Sequence, residues 1–279
     1  GVLELFGMSV GTSVTIISYI SRIFTPIESL GMEIQTIQSA MAGVKRIDAF
    51  LAQPERELLP ADADKSPRGD VVLSHVTFGY GERPVLSDLS FTVRAGEQVT
   101  LVGRTGAGKS TVFKLLLGLY KPEKGAVSIG GVDVSQITDA ERRACIGCVE
   151  QHFARVPGTV LDQITLGDPR ITRDMAEHAA ALAGLDASIR TFPAGYDTPC
   201  TDGMFSQGEW QLLSIARAAA ADPAILLLDE ITANLDADTE ARVLEALRRA
   251  SAGRTVLSIS HRVYESLGGR KIEMKALDA

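Results

Sequence analysis

The hydrophobic pattern changes character near residue 53. Before it, Leu5 to Ser21 carries no charge and is apolar at Leu5, Phe6, Met8, Val10, Val14, Ile16, Ile17 and Ile20. From Ile27 the apolar positions fall at Ile27, Leu30, Ile34, Ile37, Met41, Val44 and Leu51, a three-and-four spacing that lines one stripe of a helix. The pattern predicts an apolar helix, kinked near Pro26, that runs into an amphipathic one. The uncharged stretch is at the short end for a bilayer span, Gly7-x-x-x-Gly11 permits close helix packing in lipid, and Arg22, Lys45 and Arg46 flank it on the side that would face the cytoplasm. We expect residues 1–52 to be the last helix of a transmembrane domain with its cytosolic extension; periodicity alone also fits a buried helix of a soluble domain. Between Gln53 and Asp70 the pattern stops, and Pro54, Pro60 and Pro67 among mixed charges mark 53–69 as a linker.

Beyond the linker the periods shorten. Val71–Phe78 and Ser90–Val93 alternate like strands of an antiparallel edge, with Gly79-Tyr80-Gly81 as a loop between them. Val99–Val102 is a short apolar strand followed by a helical run, Ser110–Leu119. Ala126–Ile129, Val132–Val134 and a strand ending at Val149 follow, and about 152–221 becomes helical and Ala-rich, an insert between two halves of a sheet. Ala224–Leu228 is a continuous apolar run, the mark of a strand buried on both faces of a parallel sheet, and Thr255–Ser260 is a second such strand. The expected fold class is therefore α/β, a parallel sheet with an antiparallel β edge and an inserted helical subdomain across 70–279.

The chemistry concentrates where strands end. Gly103-Arg104-Thr105-Gly106-Ala107-Gly108-Lys109-Ser110-Thr111 reads G-x-x-x-x-G-K-[ST] between a strand and a helix, the context of a phosphate-binding loop. Glycines let successive N–H groups turn into one hollow, the helix adds its positive dipole end, Lys109 supplies a full charge for the β- and γ-phosphates, and the Ser110 hydroxyl is placed for Mg²⁺. Asp229-Glu230 closes the Ala224–Leu228 strand; two carboxylates there need a cation, which Mg²⁺ supplies for Asp229, while Glu230 would face the γ-phosphate and deprotonate water. His261 closes the last strand, and Gln151 directly follows the strand ending at Val149. Reactive groups on one edge of parallel strands fit the switch-point rule. Tyr80 reads equally as a ring that stacks on a purine or as a plain turn aromatic. Ser206-x-Gly208-Glu209 opens a helix and suits an anion or simple capping.

Composition narrows the partners. A net charge of −7 argues against a nucleic-acid partner. Three cysteines suggest a reducing compartment, and Cys145-Ile146-Gly147-Cys148, with no second pair or histidine cluster, reads as buried small hydrophobes rather than a metal or redox site. With neither an initiator methionine nor a signal peptide, the chain is expected to be part of a longer protein.

In order and approximate spacing, Tyr80, the phosphate loop, Gln151, Ser206-Gln207-Gly208-Glu209, Asp229-Glu230, Asn234-Leu235-Asp236 and His261 resemble an ATP-binding cassette ATPase from about residue 70 to 265, and residues 1–52 resemble the last membrane helix of its exporter-type members. The resemblance implies a RecA-like P-loop NTPase core that hydrolyses ATP with Mg²⁺ to drive transport. It makes Tyr80 the adenine-stacking ring and Gln151 a loop glutamine touching Mg²⁺ and the membrane-domain interface. Ser206, Gly208 and Glu209 become the signature motif, Asp229 the Mg²⁺-organising acid, Glu230 the catalytic base, Asp236 part of a loop at the dimer interface, and His261 the switch histidine. It further implies a second cassette paired head to tail, the protein's own transmembrane domain, and a membrane location with the cassette on the cytoplasmic side. Thr159-Val160-Leu161-Asp162-Gln163-Ile164 resembles the exporter-specific segment near the membrane coupling helices. Two departures stand out: Gln207 replaces the first signature glycine, and the tail after His261 is short where relatives commonly carry further strands. A soluble cassette acting on DNA or the ribosome, and a regulatory ATP-binding half of a mixed pair, are the alternatives; the distance from Thr111 to Ser206 leaves no room for the coiled-coil arm of the former.

Overall fold

The computed structural model describes residues 10–52, 67–150, 153–229, 235–259 and 261–275, with the backbone alone for Val10, Glu28, His261 and Arg262. The chain divides into two units, Gly1–Leu58 and Leu59–Ala279.

In the first unit a single helix, α1 (Val10–Leu51), continues through Pro26. Several of its hydroxyls fold back on the helix: Thr15 Oγ1 donates to Gly11 O at 2.9 Å, Thr25 Oγ1 to Ser21 O at 2.8 Å and Thr36 Oγ1 to Met32 O at 2.9 Å. Its large apolar side chains are exposed, from Ile16 at 40% to Phe50 at 72%. No helix of the described residues is long and apolar enough to cross a membrane. The uncharged stretch from Leu5 is diluted by Thr12, Ser13, Thr15, Ser18 and Ser21, and Leu5–Ser9 lies outside the described residues.

The second unit holds two sheets. The antiparallel one is ordered β2-β1-β4-β5, from β1 (Val71–Tyr80), β2 (Arg83–Val93), β4 (Lys124–Ile129) and β5 (Val132–Asp133). On β1 the inward residues are Val71, Leu73, Val76 and Phe78. The step of three between Leu73 and Val76 breaks the alternation, and the register shifts there as a bulge at which His75 takes φ +50°. Two expectations change: the second strand starts at Arg83 rather than Ser90, and Tyr80 ends β1 instead of lying in a loop.

The parallel sheet is ordered β6-β7-β8-β3-β9, from β6 (Ile146–Val149), β7 (Ile225–Leu228), β8 (Thr255–Ser258), β3 (Gln98–Val102) and β9 (Arg270–Glu273). β7 has no polar side chain and is buried throughout. Ile225 and Leu227 enter one apolar core with β3, the antiparallel sheet and α2 (Lys109–Leu116); Leu226 and Leu228 enter the other. That second core is closed by α4 (Val160–Thr165), α5 (Arg173–Ala183), α6 (Asp186–Arg190), α7 (Gln207–Ala219) and α8 (Ala237–Ser251), with α3 (Asp139–Cys145) on the opposite side of the sheet. Alternate residues of one strand thus supply both layers, which is why the run is apolar without a break. A buried hydroxyl pair, Thr100 Oγ1 and Ser258 Oγ at 2.6 Å, ties β3 to β8.

The short tail does carry a further strand. β9 follows α9 (His261–Leu267) and pairs in parallel with β3 from Val99↔Arg270 to Val102↔Glu273. The helix after the phosphate loop is also shorter than expected, ending at Leu116, where the chain breaks toward Gly118 at φ +63°.

β6 packs backbone to backbone on α7 at Gly147. A Cβ there would run into Ala218 O and come within 2.9 Å of Leu226 Cδ2. Gly147→Ala is expected to lower the stability of the second unit by about 1–3 kcal/mol, read as a lower urea midpoint at unchanged slope.

Candidate functional site

Because the central strands are parallel and adjacent, the segments that leave their C-terminal ends meet on one edge. Those segments begin at Glu150 after β6, Asp229 after β7, Ile259 after β8 and Gly103 after β3. Asp229 is half-buried, and its backbone N–H donates to Val149 O at 3.0 Å, which locks the start of its loop to β6. Gln151, Glu230 and Asn234 lie outside the described residues, as does the side chain of His261, whose backbone opens α9.

The phosphate loop turns on left-handed glycines. Gly103 has φ +153°, Gly106 +87° and Gly108 +83°. Their reasons differ. A Cβ on Gly103 would sit 2.5 Å from Met274 O just beyond β9, and one on Gly108 would sit 2.5 Å from Leu86 Cδ2. Only at Gly106 is the space open, so that residue is glycine for its conformation alone. Ala107 is buried and its N–H returns to Arg104 O at 3.1 Å, so this amide is spent inside the loop, while the Arg104 and Thr105 side chains are exposed. α2 starts after Gly108 with no side-chain cap, which leaves its first N–H groups directed at the hollow. Lys109 Nζ donates across the hollow to Gly103 O at 2.8 Å and Arg104 O at 3.1 Å. This cradle fits a polyphosphate. For a metal, the donors at the edge are the Ser110 hydroxyl and the Asp229 carboxylate. Among the described residues no group of three or more His, Cys, Asp or Glu could hold an ion alone. Two hard oxygens are what Mg²⁺ takes from protein when phosphates supply the rest.

Tyr80 stands beside α2. Its hydroxyl is 3.4 Å from Thr111 Oγ1, and Thr111 is otherwise buried. The ring meets Phe78 and Tyr120 edge-on at centroid distances of 5.0 and 5.2 Å.

In the signature-like segment the hydroxyl is committed to capping. Ser206 Oγ accepts from Glu209 N at 3.3 Å and donates to Glu209 Oε2 at 2.9 Å, while Ser206 N donates to the same carboxylate at 2.8 Å. Asp236 caps α8 in the same manner, accepting from Thr239 N at 3.0 Å, and this bond holds its carboxyl below the usual carboxylate range. The two caps touch: a Cβ on Gly208 would overlap Thr239 Cγ2. Gln207 is exposed on the first turn of α7.

One feature escapes sequence reasoning. Arg217, on the far turn of α7, donates from Nε to Gln163 O at 2.6 Å and from Nη1 to Ala154 O at 2.8 Å, with its guanidinium 3.9 Å above the Phe153 ring. Burial lowers its pKa to about 10. It ties the segment after residue 151 to the signature helix, and nothing in a lone arginine of an Ala-rich run announces it. The cysteines behave as expected of small hydrophobes: burial pushes Cys145 up to about 11 and Cys148 up to about 12.

A family model described as ABC transporter matches residues 86–233, more than half of the chain. The chain belongs to the ABC transporter family. Relatives within that family include the uncharacterized ABC transporter ATP-binding protein YfiC of Bacillus subtilis, 38% identical over 269 residues, or 94% of this chain and 44% of that protein. The ATM1-type heavy metal exporter of Novosphingobium aromaticivorans is 34% identical over 264 residues, 92% of this chain and 43% of that one. Among solved structures, a bacterial Atm1-family ABC exporter with ATP bound superimposes with a TM-score of 0.69 at 33% identity, over 96% of this chain and 48% of that chain. The chain thus spans less than half the length of these family members. The α/β cassette built on a P-loop core is the fold that membership entails.

Two outcomes are expected. Gly208→Ala lowers the stability of the cassette by about 1–3 kcal/mol, read as a lower urea midpoint, and adding Thr239→Ser, which removes only the clashing methyl, recovers most of it. Cys145 and Cys148 resist an aromatic disulfide reagent at pH 8 in the native protein and react on denaturation. Their raised values contribute stability that is complete below pH 9 and is lost as pH rises through about 11 and 12.

Proposed function

We propose that the second unit binds MgATP and hydrolyses it, and that in the whole protein this drives export of a substrate across a membrane. The observation that carries the reading is the convergence of the phosphate hollow and Asp229 on one edge of the parallel sheet. The loop amides and Lys109 neutralise the triphosphate, with Lys109 exchanging Gly103 O and Arg104 O for phosphate oxygens. Ser110 and Asp229, with Gln151 beside them, would hold Mg²⁺; the ion supplies charge neutralisation at the phosphates. Glu230 orients and deprotonates the attacking water, and His261 positions it against the γ-phosphate. Tyr80 carries the adenine ring. Ser206, Gly208 and Glu209, with Asp236, belong to the face turned toward a second cassette, identical or different, arranged head to tail.

The membrane assignment rests on α1 and on the family. Its large apolar side chains are exposed, and the hydroxyls of Thr15, Thr25, Ser29 and Thr36 donate to its own backbone, the arrangement an apolar solvent favours. The protein is accordingly integral to a membrane with the cassette on the cytoplasmic side. The substrate is chosen by other membrane helices.

The test is ATPase activity of the full-length protein in lipid. Glu230→Gln is expected to reduce turnover by about 10²- to 10⁴-fold while ATP binding survives, and Lys109→Ala to lose binding itself. Undiminished hydrolysis by the Gln variant would remove Glu230 from its role.

A further inference from the structure

We propose that Tyr120, with Lys114, is a positioning residue for the nucleotide base: the two side chains hold the Tyr80 ring as a fixed platform whose free face receives it. The inference rests on the reading of Tyr80 as the base-stacking ring and adds residues to it that neither the sequence motifs nor the family resemblance single out.

Tyr80 ends β1 at the rim of the sheet and is 38% exposed, so its orientation is not set by burial. It is set by neighbours on three sides. Phe78, buried two residues earlier, meets it at 5.0 Å and an interplanar angle of 86°. Tyr120 meets it at 5.2 Å and 88°, and also touches Phe78 at 5.5 Å, closing a ring of three aromatics. Lys114 Nζ stands 5.3 Å from the Tyr80 centroid, over one face. The Tyr80 hydroxyl reaches Thr111 Oγ1, so the platform is referred to α2, the helix that opens on the phosphate hollow.

Tyr120 is itself 43% exposed, so the apolar core gains little from it. Its worth lies in edge-on contact, which prefers a near-perpendicular arrangement and so fixes the tilt of Tyr80. An ammonium over one face draws π density to that side and leaves the opposite face the better partner for an electron-rich purine. Without these contacts the ring would be free to turn about χ1 and χ2 and would pay that freedom on binding.

The measurement is calorimetric binding of MgATP and of magnesium tripolyphosphate, which has the phosphates and no base, to the full-length protein. Tyr120→Leu is expected to weaken ATP about three- to tenfold and to leave tripolyphosphate unchanged within about twofold. Tyr120→Phe, which keeps the ring and loses the hydroxyl, is expected to bind ATP as the parent does; its thermal midpoint and that of the Leu variant check the fold. Equal losses for both ligands in Tyr120→Leu, or an unchanged ATP affinity, would overturn the proposal. If Tyr80→Leu weakens ATP while Tyr120→Leu does not, Tyr120 is excluded and the nucleotide reading stands. If Tyr80→Leu has no effect on ATP, the reading of Tyr80 falls and the proposal with it.

Discussion

The double burial of β7 is the constraint on which the cassette depends. Four successive apolar residues with no polar side chain must be covered on both faces. That coverage forces β7 into the interior of the parallel sheet, between β6 and β8, with an apolar layer on each side. Once it is there, its C-terminal end can only open at the sheet edge, and the Asp229 backbone is fixed to Val149 O as it leaves. The polar group follows from the apolar strand: a carboxylate at that point is held in place by residues that do no chemistry.

This logic explains what was legible in the sequence. Continuous apolar runs such as Ile225–Leu228, and the glycine loop after Gln98–Val102, announce parallel strands and an edge site because burial on both faces leaves a compositional mark. The antiparallel sheet was legible in kind and less so in extent. β2 is exposed at Ser87, Asp88 and Ser90, and its pairing with β1 passes through bulges that break the two-residue period. β9 left almost no mark, since Arg270, Lys271 and Glu273 are exposed and only Ile272 and the following Met274 turn inward. Its place is dictated by pairing with β3, a non-local relation that no local pattern encodes. Arg217 was hidden for the same reason, since its partners Gln163 O and Ala154 O are backbone atoms of distant segments.

The capping segments show a second kind of ambiguity. Ser206, Glu209 and Asp236 have the chemistry to contact a ligand, yet inside this chain their hydrogen bonds go to helix starts. The two uses are compatible. A capping box fixes the direction of the first turn, and any groups the helix presents outward inherit that direction. Gly208 and Thr239 join the two capped starts with a spacing that no side chain could share, so the two helix starts pack in direct contact.

Glycine is usually explained at a phosphate loop by the ligand it must admit. Here the glycines have different reasons. At Gly103 and Gly108 a methyl group would meet Met274 O and Leu86 before it met anything in the hollow, so these positions answer first to β9 and to β2. At Gly106 no atom stands within 4 Å and the demand is conformational, φ +87°. The loop is therefore shaped from behind. The strand that the tail adds and the strand that the antiparallel sheet contributes press its backbone into the curve, and the curve in turn aims α2 and Lys109. A weakened edge strand would open the hollow without touching any residue proposed to meet phosphate, which makes the least legible strand of the fold one of the supports of its most legible motif.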